Sequence, residues 1–265
     1  MSDKIGLGDL GLRALSALVL APVVLAGVWF GGWWFYSIIL LAWILALAEW
    51  RRMCGPGGLA VDTLLVASGP VGLAAAYWIG LAPAFGATAL IGVIAVVAGR
   101  AWHGLGVAII GLPLLALTYL RGADFAGWTG RDALFFLLTV VWATDIAAYG
   151  TGRLVGGPRL APAISPSKTW SGAVGGTLTA AFAGAVVHRW TQENWVFWSL
   201  GAGLSLAIVA QIGDLLESFV KRRFGVKDMS ALIPGHGGVL DRIDGLLAAA
   251  VVMALAVWLG TDGGN

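Results

Sequence analysis

Apolar residues dominate this chain in continuous runs. Nine runs of about 17 to 22 residues, each bounded by charge, glycine or proline, predict membrane-spanning helices, because a helix needs about 20 apolar residues to cross the hydrocarbon core. β-Barrel spans alternate over about ten residues and do not fit. The predicted helices lie at 14–30, 33–49, 62–79, 82–98, 104–120, 132–150, 169–188, 196–217 and 242–259. We therefore expect an all-α polytopic membrane protein.

Composition supports this class. The mean hydropathy is +0.88 and only 11% of the residues are charged, whereas about a quarter are charged in soluble domains. The 265 residues leave no room for a separate soluble domain, so 1–265 is expected to be a single membrane domain. Within it, 1–120 would be mainly scaffold and 132–259 would carry the chemistry. A net charge of +2 does not indicate a nucleic-acid polymer as partner.

The loop charges predict an orientation. With the N-terminus on the cytoplasmic side and nine spans, only Arg121, Arg131 and Arg189 of the 16 lysines and arginines fall outside. Cytoplasmic loops are enriched in lysine and arginine, which favours this arrangement.

One polar stretch, 218–244, stands out, and it reads S-F-V-K-R-R-F-G-V-K-D-M-S-A-L-I-P-G-H-G-G-V-L-D-R-I-D. Its basic residues suit a phosphate-rich ligand, and its carboxylates suit a divalent metal. Its charged residues and its histidine are Lys221, Arg222, Arg223, Lys227, Asp228, His236, Asp241, Arg242 and Asp244. Together they suggest a metal-bound nucleotide.

Carboxylates also enter the apolar runs of the second half, at Asp145 and in the pairs Asp214/Glu217 and Asp241/Asp244. Each pair has i,i+3 spacing and so occupies one helix face. Acids within a membrane are costly unless paired or solvated, and close carboxylates repel unless a cation joins them. They therefore predict Mg²⁺ or a similar ion. A structural ion-pair network with the nearby lysines and arginines is the alternative.

The segment S-P-S-K-T (165–169) precedes the seventh predicted helix. If the helix begins within it, free N–H groups and Lys168 can bind phosphate. Ser165 or Ser167 can instead be an ordinary N-cap.

Other polar residues have more ordinary interpretations. His236 can contact phosphate or transfer a proton, but it can also be a simple loop residue. Glu49 is interpreted as an interfacial charge at the end of the second helix. His103 and His188 are placed on loops, without a role.

The 27 positions of 218–244 resemble, without departure, the signature of phosphatidate cytidylyltransferases, S-x-hydrophobic-K-R-x4-K-D-x-small-x2-hydrophobic-P/G-x-H-G-G-hydrophobic-x-D-R-hydrophobic-D. D-I-A-A-Y-G-T-G-R (145–153) and S-P-S-K-T extend the resemblance to roughly residues 140–250. Members commonly carry a second lysine where this chain has Ser167 and an acidic residue where it has Ser171.

The resemblance implies an enzyme of phospholipid synthesis that transfers the cytidylyl group of CTP or dCTP to phosphatidic acid, giving CDP-diacylglycerol and pyrophosphate. It implies one or two Mg²⁺ ions, with Mn²⁺ as a substitute, held by Asp214, Asp241 and Asp244 with Asp145 and Glu217 in support. The catalytic set would be Asp214, Lys221, Arg222, His236, Asp241 and Asp244. Substrate contacts would come from Ser165, Lys168, Thr169, Arg223, Lys227, Asp228 and Arg242.

The loop charges place the site on the cytoplasmic face, and the membrane is expected to be of the bacterial inner-membrane type. The glycine-rich helices are compatible with a homodimer. A general base is scarcely needed, because the attacking lipid phosphate is already ionised near pH 7.

Three other functions are compatible with a polytopic membrane protein of this composition. A transporter would often show internal repeats, and none is evident in this sequence. The acids of this chain also cluster near one predicted membrane face. CDP-alcohol phosphotransferases carry D-G-x2-A-R-x8-G-x3-D-x3-D, and the acids here are spaced otherwise. A polyprenol kinase would also use a nucleotide at the membrane face.

Overall fold

Helices form most of the computed structural model, which describes residues 7–192, 197–233 and 237–262. They are α1 (Leu7–Phe30), α2 (Gly32–Cys54), α3 (Leu59–Trp78), α4 (Leu81–Val97), α5 (Ala101–Gly106), α6 (Leu112–Gly122), α7 (Gly130–Val155), α8 (Trp170–Gln192), α9 (Phe197–Arg223) and α10 (Leu240–Asp262). A π-helical turn, Val107–Gly111, joins α5 to α6. Each predicted window coincides with one helix, except that 104–120 spans α5, the π turn and α6. The α-helical fold class is confirmed.

Seven helices in the described ranges are long and apolar enough to cross a membrane. Two shorter apolar stretches, Leu18–Phe30 within α1 and Leu81–Val97, which is α4, accompany them. The protein is therefore an integral, polytopic α-helical membrane protein. The count of nine spans and the cytoplasmic N-terminus remain predictions.

A β-hairpin interrupts the helices where only a loop and a helix start were expected. Strand β1 (Arg159–Ala161) pairs antiparallel with β2 (Ser165–Thr169), and Arg159 lies opposite Thr169. The residue before a proline avoids the helical region, so Ser165, which precedes Pro166, favours extended backbone. Helix α8 begins at Trp170, one residue after the predicted start, so residues 165–169 form β2 and not the first turn of the helix.

The described chain divides into two compact units. The first unit runs to Gly111 and includes Val226–Ile243. The second unit comprises Leu112–Gly225 and the chain from Asp244 onward. The single domain expected from chain length stays a prediction.

Tryptophans form much of the core of the first unit. Trp43 and Trp50 are fully buried, and Trp50 Nε1 donates to the carbonyl oxygen of Trp102 at 2.8 Å. His103 was expected on a loop, but it lies in α5, is buried, and has Nε2 3.0 Å from the carbonyl oxygen of Gly55. It therefore links α5 to the segment between α2 and α3.

An aromatic cluster holds one end of the second unit. His188 was also expected on a loop, but it lies within α8 and is buried. Its ring centroid is 5.2 Å from those of both Trp128 and Trp198. Apolar packing among aromatic rings is the role that this histidine has in the structure.

An apolar cavity of about 410 Å³ lies in the second unit beside this cluster. Its walls include Phe136, Trp198, Leu206 and Val252. Val252 follows Asp244 by two helical turns, or about 12 Å at 1.5 Å per residue. This wall of the cavity is therefore about two helical turns away from Asp244.

Candidate active site

An ion pair joins the β-hairpin to α9 in the second unit. Lys168, on β2, donates through Nζ to Oδ2 of Asp214, and the Ser218 hydroxyl lies 3.5 Å from the other Asp214 oxygen. The Lys168 and Asp214 side chains remain 25% and 32% exposed. The pair is therefore open to an incoming ligand on one side.

A second group of charges lies one turn further along α9. Glu217 and Lys221 are both buried, and Lys221 Nζ lies 3.3 Å from Glu217 Oε1. Asp244, from α10, lies within electrostatic reach of Glu217, Asp214 and Lys221. Two carboxylates this close repel each other unless one of them takes up a proton. A bound cation can replace that proton.

Two glycines let α9 and α10 approach closely at this point. A Cβ at Gly213 would lie 2.5 Å from the Cβ of Ala248, and one at Gly245 would lie 3.4 Å from the Cβ of Ala210. Both distances are shorter than the normal contact of about 3.5–4.0 Å between packed carbon atoms. The absence of side chains here therefore brings the acids of the two helices together. We name Lys168, Asp214, Glu217, Lys221 and Asp244 the charged cluster.

The charged cluster is not a closed metal cage. Across the described ranges, no group of three or more Asp, Glu, His or Cys side chains is arranged to hold a metal ion. Mg²⁺ that arrives with a nucleotide commonly takes only one or two carboxylates from the protein and completes its shell with phosphate oxygens and water. The adjacent Glu217 and Asp244 carboxyls fit that requirement.

Hydroxyl groups tie the hairpin to the neighbouring helices. Thr169 Oγ1 accepts from the backbone N–H of Gly172 at 3.1 Å and so caps α8, a role that was expected of Ser165 or Ser167. Thr169 immediately precedes the apolar run, which is the usual position of an N-cap. Ser171 donates to the carbonyl oxygen of Gly156, and Arg222 Nε donates to that of Ile164 at 3.2 Å. The loop geometry around Lys168 is therefore fixed from several sides.

In the first unit, Asp241 binds backbone. Its Oδ2 accepts from the N–H groups of Met229 at 2.9 Å and Gly238 at 2.8 Å. The carboxylate thus closes the segment that leads into α10. Its predicted role as a metal ligand stays a prediction.

Glu49 was interpreted as an interfacial charge, but in the structure it is buried and hydrogen-bonded. It is 1% exposed, and its carboxylate accepts from Ser230 Oγ, Val239 N and Leu240 N. These partners follow it by 181 to 191 residues. The only sequence signal was an acid within an apolar helix.

The remaining predicted site residues are found mostly at the surface. Asp145, on α7, is exposed, and Ser165 is partly buried. Exposed side chains also include Arg223, Lys227, Asp228 and Arg242. His236 lies outside the described residues, and its role stays a prediction. The substrate contacts predicted for all these residues likewise stay predictions.

The sequence from residue 11 to residue 259 matches the Cytidylyltransferase family. The chain belongs to this family. Among cytidylyltransferase relatives named "Phosphatidate cytidylyltransferase", the protein of Brucella suis biovar 1 is 50% identical over 157 residues, 59% of this chain and 57% of its own length. The protein of that name from Rickettsia bellii is 36% identical over 156 residues, which are 56% of this chain and 66% of its own length.

A third relative of that name, from Haemophilus influenzae, is 47% identical over 125 residues, 45% of this chain and 43% of its own length. The chain thus spans 57% of the length of the Brucella suis relative and less of this one. The family match itself includes every residue of the charged cluster.

Proposed function

We propose that the protein transfers the cytidylyl group of CTP, or of dCTP, to phosphatidic acid, giving CDP-diacylglycerol and pyrophosphate for phospholipid synthesis. The names of its relatives support this activity. The charged cluster is the observation that carries the proposal, since it combines carboxylates for a metal with lysines for phosphate at the ends of membrane-spanning helices.

The depth of the cluster suits a reaction between a soluble and a lipid substrate. Asp244 lies four residues into α10, and Glu217 lies six residues before the end of α9. At 1.5 Å per residue these positions are about 6 Å and about 9 Å from the helix ends. Headgroups extend roughly 5–7 Å beyond each side of the hydrocarbon. A nucleotide from water and the phosphate of a bilayer lipid can therefore meet there.

We propose Glu217 and Asp244 as ligands of Mg²⁺, with Asp214 beside them and Mn²⁺ as a substitute. Bound there, the ion would neutralise charge on the triphosphate. Glu217 is buried and lies against a second carboxyl, which makes a cation favourable at this point. The roles of Asp145 and Asp241 as ligands remain predictions, as does a second ion.

The lysines would position the phosphates. Lys168 is held by Asp214 and is partly exposed, so a triphosphate can compete for its ammonium group. Lys221 is buried against Glu217 and would hold positive charge close to the reacting phosphates. A phosphatidate oxygen then forms a bond to the α-phosphorus of CTP as the bond from that phosphorus to the β-phosphate oxygen breaks, releasing pyrophosphate. Positioning and charge stabilisation supply most of the catalysis.

A labelling experiment tests the function. Purified protein in detergent is given phosphatidic acid, Mg²⁺ and CTP labelled either at the α-phosphate or at the γ-phosphate. Label from the α-position should enter the lipid, and label from the γ-position should be released as pyrophosphate. Transfer of γ-label to lipid would instead indicate a kinase, and no lipid label at all would refute cytidylyl transfer.

The location is also a proposal. The distribution of lysine and arginine favours a site on the cytoplasmic face of the inner membrane. Right-side-out and inside-out vesicles distinguish the faces, because membrane-impermeant CTP should be consumed only by inside-out vesicles. Consumption by sealed right-side-out vesicles would contradict this orientation.

A further inference from the structure

We infer that Glu49, in the helix α2 of the N-terminal half, is a positioning residue that fixes the segment before α10 and the start of α10 itself. The inference rests on the proposed function, because it concerns the placement of residues assigned to that reaction. It also gives α2 a role beyond the scaffold function that the sequence suggested.

Three donors converge on the Glu49 carboxylate. Ser230 Oγ donates to Oε1 at 2.6 Å, Val239 N to Oε1 at 2.9 Å, and Leu240 N to Oε2 at 2.9 Å. The side chain is only 1% exposed, so water does not compete for these bonds. Hydrogen bonds to an ionised group are about twice as strong as those between neutral groups. The segment is therefore bound tightly to α2.

The start of α10 requires such a partner. The first N–H groups of a helix have no acceptor within the helix, and neither Gly238 nor Val239 has a side-chain oxygen to cap them. Asp241 serves the N–H groups of Met229 and Gly238. The Glu49 carboxylate accepts hydrogen bonds from the next two N–H groups, those of Val239 and Leu240. Its negative charge also interacts favourably with the positive end of the helix dipole. Two carboxylates, one local and one distant in sequence, thus determine where α10 begins.

This contact bears on activity because of what the anchored segment carries. Lys227 and Asp228 lie within three residues of the anchored Ser230, Asp241 is the second residue of α10, and Asp244 follows one turn later. Displacing a reacting group by about 1 Å can reduce a rate about 100-fold. Loss of the Glu49 carboxylate should therefore reduce turnover even though Glu49 does not belong to the charged cluster.

Gly238 supplies a specific test of the geometry. A Cβ at this position would lie 2.7 Å from both carboxylate oxygens of Glu49. Gly238→Ala should therefore displace the segment when Glu49 is present. In a Glu49→Ala background the opposing oxygens are gone, and the same change should have little effect. A merely destabilising role for each residue would give additive losses instead.

The experiment measures Glu49→Gln, Ser230→Ala and the double-mutant cycle of Gly238→Ala with Glu49→Ala. Asp62→Asn is the matched control. Asp62 belongs to the same unit and pairs with Arg51 at 2.7 Å, so its variant breaks a polar contact without touching the segment. Turnover, KM for CTP and the rate of tryptic cleavage after the exposed Lys227 are measured for each protein. Cleavage reports on the segment without requiring activity.

Glu49→Gln should lower kcat about 10- to 100-fold and speed cleavage after Lys227 at least about 10-fold. Ser230→Ala removes one donor of three and should give a smaller change of the same kind. Asp62→Asn should change both rates less than about 3-fold. Glu49→Gln with wild-type turnover and cleavage, or additive losses in the Gly238 cycle, would overturn the inference. Wild-type protein that labels no lipid would refute the proposed function instead, and the cleavage rates would still decide the role of Glu49.

Discussion

Gly213→Ala should separate α9 from α10 and disrupt the charged cluster. The added Cβ would lie 2.5 Å from the Cβ of Ala248 and 3.1 Å from the carbonyl oxygen of Asp244. Neither neighbour is the end of a flexible side chain. Since packed carbon atoms lie about 3.5–4.0 Å apart, the helices must move apart by about 1.0–1.5 Å. That shift acts directly on the contact between Glu217 and Asp244.

The expected result is a loss of cytidylyl transfer of about 100-fold, because a misplacement of about 1 Å at a reacting group has that effect. Initial rates with α-labelled CTP measure it, and thermal unfolding in detergent checks that the protein remains folded. Gly201→Ala is the matched control. It makes the same change on the same helix, where a Cβ would meet nothing within 4 Å.

A second-site change tests the reasoning further. Ala248→Gly removes the atom that Gly213→Ala would strike, so the double variant should recover at least about 10-fold of the lost rate. Gly213→Ala with more than half of the wild-type rate would show that close approach of the two helices is not required. A double variant no faster than Gly213→Ala alone would also contradict the geometry.

Three further changes probe single side chains. Lys168→Met should raise KM for CTP about 10- to 100-fold, since a hydrogen bond to a charged group contributes about 1.5–3 kcal/mol. Arg189→Met serves as the control in the same rate assay, because Arg189 lies near the far end of α8. Asp244→Asn should raise the Mg²⁺ concentration that gives the half-maximal rate at least about 10-fold, because it removes a proposed ligand. Asp132→Asn is titrated in parallel as the control. An unchanged Mg²⁺ titration would exclude Asp244 as a ligand. Thr169→Ala should reduce the stability of the protein by about 1 kcal/mol, because the cap of α8 is lost. Thermal unfolding measures this loss, and Thr169→Ser, which keeps the hydroxyl, is the control.

The helices were predictable because the membrane imposes their length and polarity. A run of about 20 apolar residues has few alternatives in hydrocarbon, where every backbone group must be satisfied within the segment. The hairpin of 159–169 has no such constraint. Its strands contain only three and five residues, and two prolines, Pro162 and Pro166, interrupt the pattern. Local sequence therefore indicated a loop there without giving its pairing.

The acids of the site were visible in the sequence, but most of their partners were not. Spacing placed Asp214 and Glu217 on one helix face, yet it did not show that Lys168 binds Asp214 from 46 residues away. Charge alone does not choose between several nearby partners. The donors to Glu49 include backbone N–H groups, which have no sequence signature at all. Tertiary packing decides such contacts.

The balance of charges in the cluster bears on whether it is merely structural. A buried ion pair such as Glu217 with Lys221 is weak support for stability, because desolvation of both ions offsets their attraction. The cluster contains three acids and two lysines, so the lysines alone cannot neutralise it. The remaining carboxylate needs a proton or a cation. A purely structural network would not require that excess, whereas a site that receives Mg²⁺ with its nucleotide would, and this supports the proposed function.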